Sequence, residues 1–290
     1  MAVDLSGGVV NVLRVRAARG PTRLCALALG VLLVALGPAG CGKKTPKVAP
    51  GTGDADKILY ERGMEALNEK KWFTAREYFR QVVDGYPQSP YRSDSKLGLG
   101  DTYLGEGTTQ AFVLAINEFQ EFLSFYPTHP RADYAQYKLA LCHYRQMAKA
   151  ERDQTETRAT VAEFEVFFER YPSSPLMLEA RRRHREARDR LSDSEYGVGL
   201  FYYRQRWYPG AIDRFQALLK SDPEYTRRDA AYYHLGESLV KMNRQAEALV
   251  WFDRLVTEFS QSEHLLEAKE RVAELRATPA PPQTPPPPGS

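Results

Sequence analysis

EYGVGLFYYRQRWYPGAIDRFQALLKSDP, residues 195–223, is the stretch whose spacing decides the fold. Gly199 is followed twelve residues on by Ala211, four later by Phe215 and eight later by Pro223. Gly199 and Ala211 are small enough to let two antiparallel helices touch. Phe215 fills the gap between that pair and the next. Pro223 stops the second helix because it has no N–H to donate. The spacing recurs in Gly63, Ala75, Phe79 and Pro87, and again in Gly236, Ala248 and Phe252, with Ser260 in the proline slot. Two copies are stretched. Gly100 precedes Ala115, Phe119 and Pro127 with three extra residues, and Cys142 precedes Thr160, Phe164 and Pro172 with six extra.

This G…A-x3-F…P pattern resembles the tetratricopeptide repeat. The expected fold is all-α, an α-solenoid of five tetratricopeptide-like helix pairs. The repeats span about 56–89, 93–129, 135–174, 192–225 and 229–262, with a closing helix at 263–276. In the first pair, helices at 55–69 and 72–85 face each other through Leu59, Gly63 and Ala66 on one side and Ala75, Tyr78, Phe79 and Val82 on the other. YPQSP (86–90), YPTHP (126–130) and YPSSP (171–175) punctuate the array, with Ser89 and Ser174 placed as N-caps. The excess length between Phe164 and Phe215 falls in LMLEARRRHREARDRL (176–191), which lacks Gly and Pro and reads as a helix leading, with a kink near Ser192, into the fourth repeat.

The ends of the chain have a different composition. Arg14, Arg16, Arg19 and Arg23 precede an apolar run from Leu24 to Leu36 and the small residues before Cys41. A basic start, a short apolar core and small residues at the cut describe a secretory signal over 1–40, too short to span a bilayer comfortably. Ala39-Gly40-Cys41 resembles a bacterial lipobox, which implies that Cys41 becomes diacylated and leads the mature chain; Pro38 stands where that motif usually has leucine. An unmodified secreted protein is the alternative. Gly42 after the cysteine matches the sorting pattern for the outer membrane. Residues 41–54 then form the lipidated cysteine and a flexible tether, 55–277 the repeat domain, and 278–290, with seven prolines and no large apolar side chain, a disordered Pro-rich tail.

The leader carries four arginines and one aspartate, so the mature chain keeps 36 basic and 36 acidic side chains. That balance leaves no electrostatic footprint for nucleic acid. Without Cys25 and Cys41 the domain has Cys142 alone, in a packing slot, and no internal disulfide. His129, His143, His184, His234 and His264 are scattered one per segment without metal-ligand spacing, and no phosphate loop or nucleophile elbow occurs. Trp72, Trp207 and Trp251 fall at repeat spacing and read as core. These features point to a non-enzymatic protein with no cofactor and no metal.

The inner groove of such an array is lined by the first helix of each pair. Its expected substrate-peptide positions are Tyr60, Met64, Leu67, Leu97, Asp101 and Leu104. Tyr196 and Tyr203 line its C-terminal part. Arg181, Arg185 and Arg188 share one helix face, either as a solvated face paired with Glu179, Glu186 and Asp189 or as a docking surface for an acidic partner. The lipobox, the short tether and the YP-x-S-P repeats, above all RDRLSDSEYGVGLFYYRQRWYPGAIDRF (188–215), resemble the BamD family of lipoproteins of the outer-membrane β-barrel assembly machinery. The resemblance implies a lipid-anchored protein on the periplasmic face of the outer membrane. It implies C-terminal repeats that hold the periplasmic domains of the insertase beside other assembly lipoproteins, and N-terminal repeats that engage unfolded outer-membrane proteins. The alternative is another periplasmic repeat adaptor, such as the Tol–Pal-associated cell-division coordinator.

Overall fold

The computed structural model describes residues 53–277, and among them all regular structure is helical. The readings of the leader, Cys41, the tether up to residue 52 and the tail 278–290 lie outside the described residues. Helices α1 (Ala55–Asn68) and α2 (Trp72–Gly85) form the first hairpin, α3 (Arg92–Glu106) and α4 (Thr109–Phe125) the second, and α5 (Ala132–Tyr144) and α6 (Thr155–Arg170) the third. Then α7 (Met177–Arg204) pairs with α8 (Tyr208–Ser221), α9 (Arg228–Lys241) with α10 (Gln245–Glu258), and α11 (Leu265–Ala277) packs on α10. The result is an all-α solenoid of five tetratricopeptide-like pairs. Beyond packing on sequence neighbours, α1 meets α3, α3 meets α5, α5 meets α7 and α7 meets α9. The odd-numbered helices are the closer set, which puts them on the inside of the curvature.

The small-residue slots do what their spacing requires. A Cβ on Gly63, Gly100, Gly199 or Gly236 would come within 2.6 Å of a ring atom of Phe79, Phe119, Phe215 or Phe252 respectively. Each of those rings is fully buried. Three residues before the slot, Tyr60, Tyr196 and Tyr233 face the same phenylalanines with centroids 6.2, 5.7 and 6.1 Å apart. In the third pair the equivalent contact is Tyr137 to Phe164 at 6.0 Å, so the slot there is Ala140 and not Cys142. Cys142 is buried one half-turn on, against the cluster of Phe119 and Leu139. The loop in that pair is therefore longer than the six extra residues expected.

Turns within the unstretched pairs reverse through a left-handed residue: Lys70, Arg206 and Asn243 have φ of 58°, 61° and 57°. The next N–H then reaches back five residues, as in Lys71 N–H to the Ala66 carbonyl at 2.8 Å and Trp207 N–H to the Tyr202 carbonyl at 3.0 Å. Between pairs, Ser89 and Ser174 do not cap helices. The N-caps are Tyr91 and Leu176, and the serine hydroxyls accept from those residues' N–H groups at 3.1 and 3.2 Å, ordering the turn before the helix. The hydroxyl hydrogens serve a second purpose. Ser174 donates to Asp133 and Ser262 to Asp229, each at 2.6 Å, clasping these two turns to the start of the preceding inner helix.

α7 is continuous helix through Ser192, whose hydroxyl donates to Asp222 at 2.5 Å rather than to its own backbone. One expectation changes. Trp207 is 55 % exposed, not core, its ring lying over Gly210 and edge-on to Tyr202 at 4.8 Å.

Candidate functional site

On the inner face of the first repeats, Tyr60, Met64 and Leu67 are half-buried on α1, resting on the cluster around Phe79. Tyr60 also stacks on Tyr91 with centroids 5.2 Å apart. Leu97 and Leu104 are 0 % and 3 % exposed, which corrects their reading as groove positions. Leu97 occupies the place that Tyr60 holds in the first repeat and packs with Phe119 in the core of the second. Asp101 is a tie between repeats: it accepts from the Tyr134 hydroxyl at 2.7 Å and pairs with Lys138 at 3.0 Å. Burial first, then the Asp101 charge, pushes the Tyr134 phenol up to about 12.

Such ties recur along the array. Asp94 meets Arg131 at 2.8 Å, Asp193 meets Arg227 at 3.2 Å and Glu237 meets Arg271 at 2.6 Å. Each joins one inner helix to the next. In the C-terminal half, Tyr196 is buried, its phenol 3.1 Å from His234 Nδ1 and raised to about 12 by burial. Tyr203 is half-buried, edge-on to His234 at 5.3 Å. Burial lowers the His234 pKa, and its Nδ1–H donates to the Ala230 carbonyl at 2.9 Å. Tyr233 stacks on His264 at 4.4 Å. This half of the inner face is an interlocked layer of rings.

The arginine face of α7 divides in two. Arg185 makes a bidentate pair with Asp222, a carboxylate only 4 % exposed, and also meets Asp189 at 3.0 Å. Arg188 donates to the Ser221 carbonyl at 2.8 Å. Asp189 in turn accepts from the Thr226 N–H and hydroxyl at 3.0 and 2.6 Å, and Tyr225 donates to Asp193 at 2.6 Å. The loop between α8 and α9 is thus strapped onto α7 by groups distant in sequence. Arg181 is different: it is exposed, lies 5.4 Å over the Phe168 ring, and meets no carboxylate among the described residues. Beside it, His184 has its pKa lowered by burial, with Glu165 at 3.7 Å. Together these residues border a cleft of about 550 Å³. Glu179 and Glu186, expected to neutralise the face, pair instead with Arg182 and Arg183.

Sequence reasoning missed the exposed pair Phe201 and Trp207 at the turn of the fourth repeat: Trp207 was read as core and Phe201 drew no reading. It also missed the inter-repeat ties. Their signal was present as an acid on one inner helix and a base one repeat later, 34 residues on at Asp193–Arg227 and Glu237–Arg271 and 37 on across the stretched pair at Asp94–Arg131.

A model of the YfiO family, described as outer membrane lipoprotein, matches residues 53–247, from α1 to the first turn of α10. The chain belongs to that family. Among curated relatives, the outer membrane protein assembly factor BamD of Caulobacter vibrioides is 29 % identical over 225 residues, covering 77 % of this chain and 72 % of that one. BamD of Vibrio cholerae is 28 % identical over 195 residues, covering 64 % and 78 %. Solved structures with a similar course include the TPR2AB domain of yeast Sti1 in its pHSP90 complex (TM-score 0.47, 10 % identity, 78 % and 84 % covered). A thermophilic TPR protein of Thermus thermophilus also matches (TM-score 0.33, 14 % identity, 76 % and 98 % covered). Among the described residues of this YfiO-family chain, no helix is long and apolar enough to cross a membrane, and no group of three His, Cys, Asp or Glu side chains is placed to hold a metal ion.

Proposed function

We propose that the chain is a non-enzymatic scaffold of outer-membrane β-barrel assembly, anchored through a lipid on Cys41 to the periplasmic face of the outer membrane. The match of the repeat array to an outer-membrane lipoprotein family carries this reading, and the curated relatives are named as assembly factors. In this reading the C-terminal repeats hold the periplasmic domains of the insertase. Their inner face is a ring layer tied by Glu237–Arg271, so little ordering entropy is lost on docking. The N-terminal repeats present Tyr60, Met64 and Leu67, an adaptable apolar lining suited to many unfolded chains. Arg181 and Tyr203 are the surface positions proposed for the insertase, while Arg185, Arg188 and Tyr196 support them from within.

Pull-downs from detergent-extracted membranes test the division. Arg181→Glu with Tyr203→Ala is expected to lose the insertase and keep unfolded substrate, and Tyr60→Ala with Met64→Glu the reverse. Loss of one partner by both variants, or of none by either, refutes the division of labour. Mass spectrometry of the mature N-terminus tests the anchor, and an unmodified Cys41 rules it out.

A further inference from the structure

We propose that the closing helix α11 is a latch that acid releases, through the joint that His234 and His264 form between α9 and the turn into α11. The helix is lightly held. Ala268 is its one buried residue, against eight on α9, and it packs on α10. A helix with so little buried apolar surface opens ahead of the rest. Three contacts tie its start and middle to α9. Ser262 donates to Asp229 at 2.6 Å, and His264 stacks on Tyr233 with centroids 4.4 Å apart at 3°. Arg271 makes a bidentate pair with the buried Glu237 at 2.6 and 3.0 Å. Opening α11 strands the Glu237 carboxylate, which keeps the latch shut at neutral pH.

His234 is the group that acid acts on. Tyr196 and Tyr203 of α7, Phe215 of α8, Tyr233 and His264 enclose its ring, with centroids 5.3 to 6.1 Å away. Its Nδ1–H donates to the Ala230 carbonyl at 2.9 Å, and Nε2 meets no acceptor among the described residues. A protonated ring therefore carries a second N–H without a protein partner. The charged groups around the joint supply no counter-ion. Arg204 at the end of α7 and Arg227, 5.4 Å over the Tyr196 ring, are cations. Asp193 accepts from Tyr225 and Arg227, Asp229 from Ser262, and Glu237 from Arg271. Glu263 is exposed and 3.6 Å from His264, and Glu267 of α11 is exposed. From α8 and α10 come rings, Phe215 against His234 and Phe252 against Tyr233.

Burial holds the His234 pKa below its ordinary value, and a charged His264 lowers it further. The closed form is then fully favoured above the ordinary histidine value of about 6.5. It loses ground as pH falls through the lower, native value. A proton on His264 as well sets two cationic rings against each other across the joint, with centroids 5.6 Å apart. Swinging α11 away with His264 relieves that repulsion and opens one side of the cage to water.

The test is hydrogen exchange on the full chain in detergent at about pH 7.5 and 5.5, the range in which histidine titrates. Protection factors are compared, so that the intrinsic pH dependence of exchange drops out. Protection of residues 265–277 is expected to fall by up to ~10-fold in acid, the limit reached when His234 regains its ordinary value in the open form. Helices α1 to α4 should not change. His234→Gln, polar but unable to charge, should abolish the fall, and Arg271→Ala should lower α11 protection at both pH values. Histidine NMR on the unaltered chain gives a second reading, in which the His234 Cε1–H signal titrates below ~6.5. An α11 equally protected at both pH values overturns the proposal, and so does a fall spread evenly over the array. A response that survives His234→Gln, unchanged protection in Arg271→Ala, or a His234 that titrates at its ordinary value or above does the same. Should His234→Gln not fold, the NMR titration still decides. Both readouts are independent of the assembly role.

Discussion

Replacing Asp222 tests whether the arginine face of α7 is joinery or a free docking surface. The carboxylate is 4 % exposed and takes two bonds from Arg185 and one from Ser192. Breaking a buried pair by removing one partner costs about 3–5 kcal/mol. Arg185 keeps Asp189 at 3.0 Å, so the stranded guanidinium is half-compensated and Asp222→Asn should fall near ~3 kcal/mol at neutral pH. Arg181→Ala, which removes no such pair, should change stability by less than about 0.5 kcal/mol. Urea unfolding followed by circular dichroism measures both, and hydrogen exchange locates the loss in residues 222–228. The acid limb gives an independent check. Burial pushes the Asp222 carboxyl up, but the bonds from Arg185 and Ser192 and the charges of Arg185 and Arg188 outweigh it, and the net shift is downward. A lowered native pKa means that the stabilisation is complete above the ordinary aspartate value of about 3.9 and is lost as pH falls through the native one. The variant and the wild type should therefore converge in acid. An Asp222→Asn chain within 1 kcal/mol of wild type at pH 7 would refute the strap and return Arg185 to the surface.

Three further outcomes follow from single contacts. Gly199→Ala places a Cβ 2.6 Å from the buried Phe215 ring and should destabilise by about 1–3 kcal/mol in the same melt; a neutral result would mean that the fourth pair is looser than its contacts. Arg206→Gly, at φ 61°, should stabilise by up to ~1 kcal/mol through relief of left-handed strain, read as a raised Tm. Cys142 is fully buried and burial pushes its thiol to about 12, so a thiol reagent at pH 8 should label it only as fast as the third pair opens; immediate labelling would contradict its placement.

The legible part of the fold was the part where one residue type is forced. Only glycine fits where Phe79, Phe119, Phe215 or Phe252 crosses the helix pair, so the slot is visible at a distance. Where the slot tolerates alanine, as in the third pair, Ala140 and Cys142 look alike, and only the Tyr137–Phe164 contact separates them. The surface was less legible because exposure depends on what lies opposite. Leu97 and Leu104 carry the groove's periodicity, yet a glycine-rich α3 sinks them into its neighbours, while Trp207 keeps the core's spacing and stays out. Arg185 and Arg181 are one turn apart on one face, and nothing local tells which has a carboxylate 37 residues away.

The length of α7 changes how the halves of the array can act on each other. In a repeat solenoid each unit touches only its neighbours, and an interface can loosen without disturbing the rest. Here the third and fourth units share a helix of 28 residues, about 42 Å of unbroken backbone. Its N-terminal half supports α6 through Phe168, His184 and Ala180, and its C-terminal half supplies Gly199 and Tyr196 to α8. Asp222, bonded to Arg185 and Ser192, ties the following loop to the midpoint. Moving the C-terminal pairs relative to the N-terminal ones therefore requires bending a helix that lacks Gly and Pro between Met177 and Tyr196, or breaking the Asp222 strap. The strap is the weaker of the two. If partner binding at one end alters the other, the change passes through Arg185 and Asp222, and a chain with Asp222→Asn should bind each partner singly while losing any coupling between them.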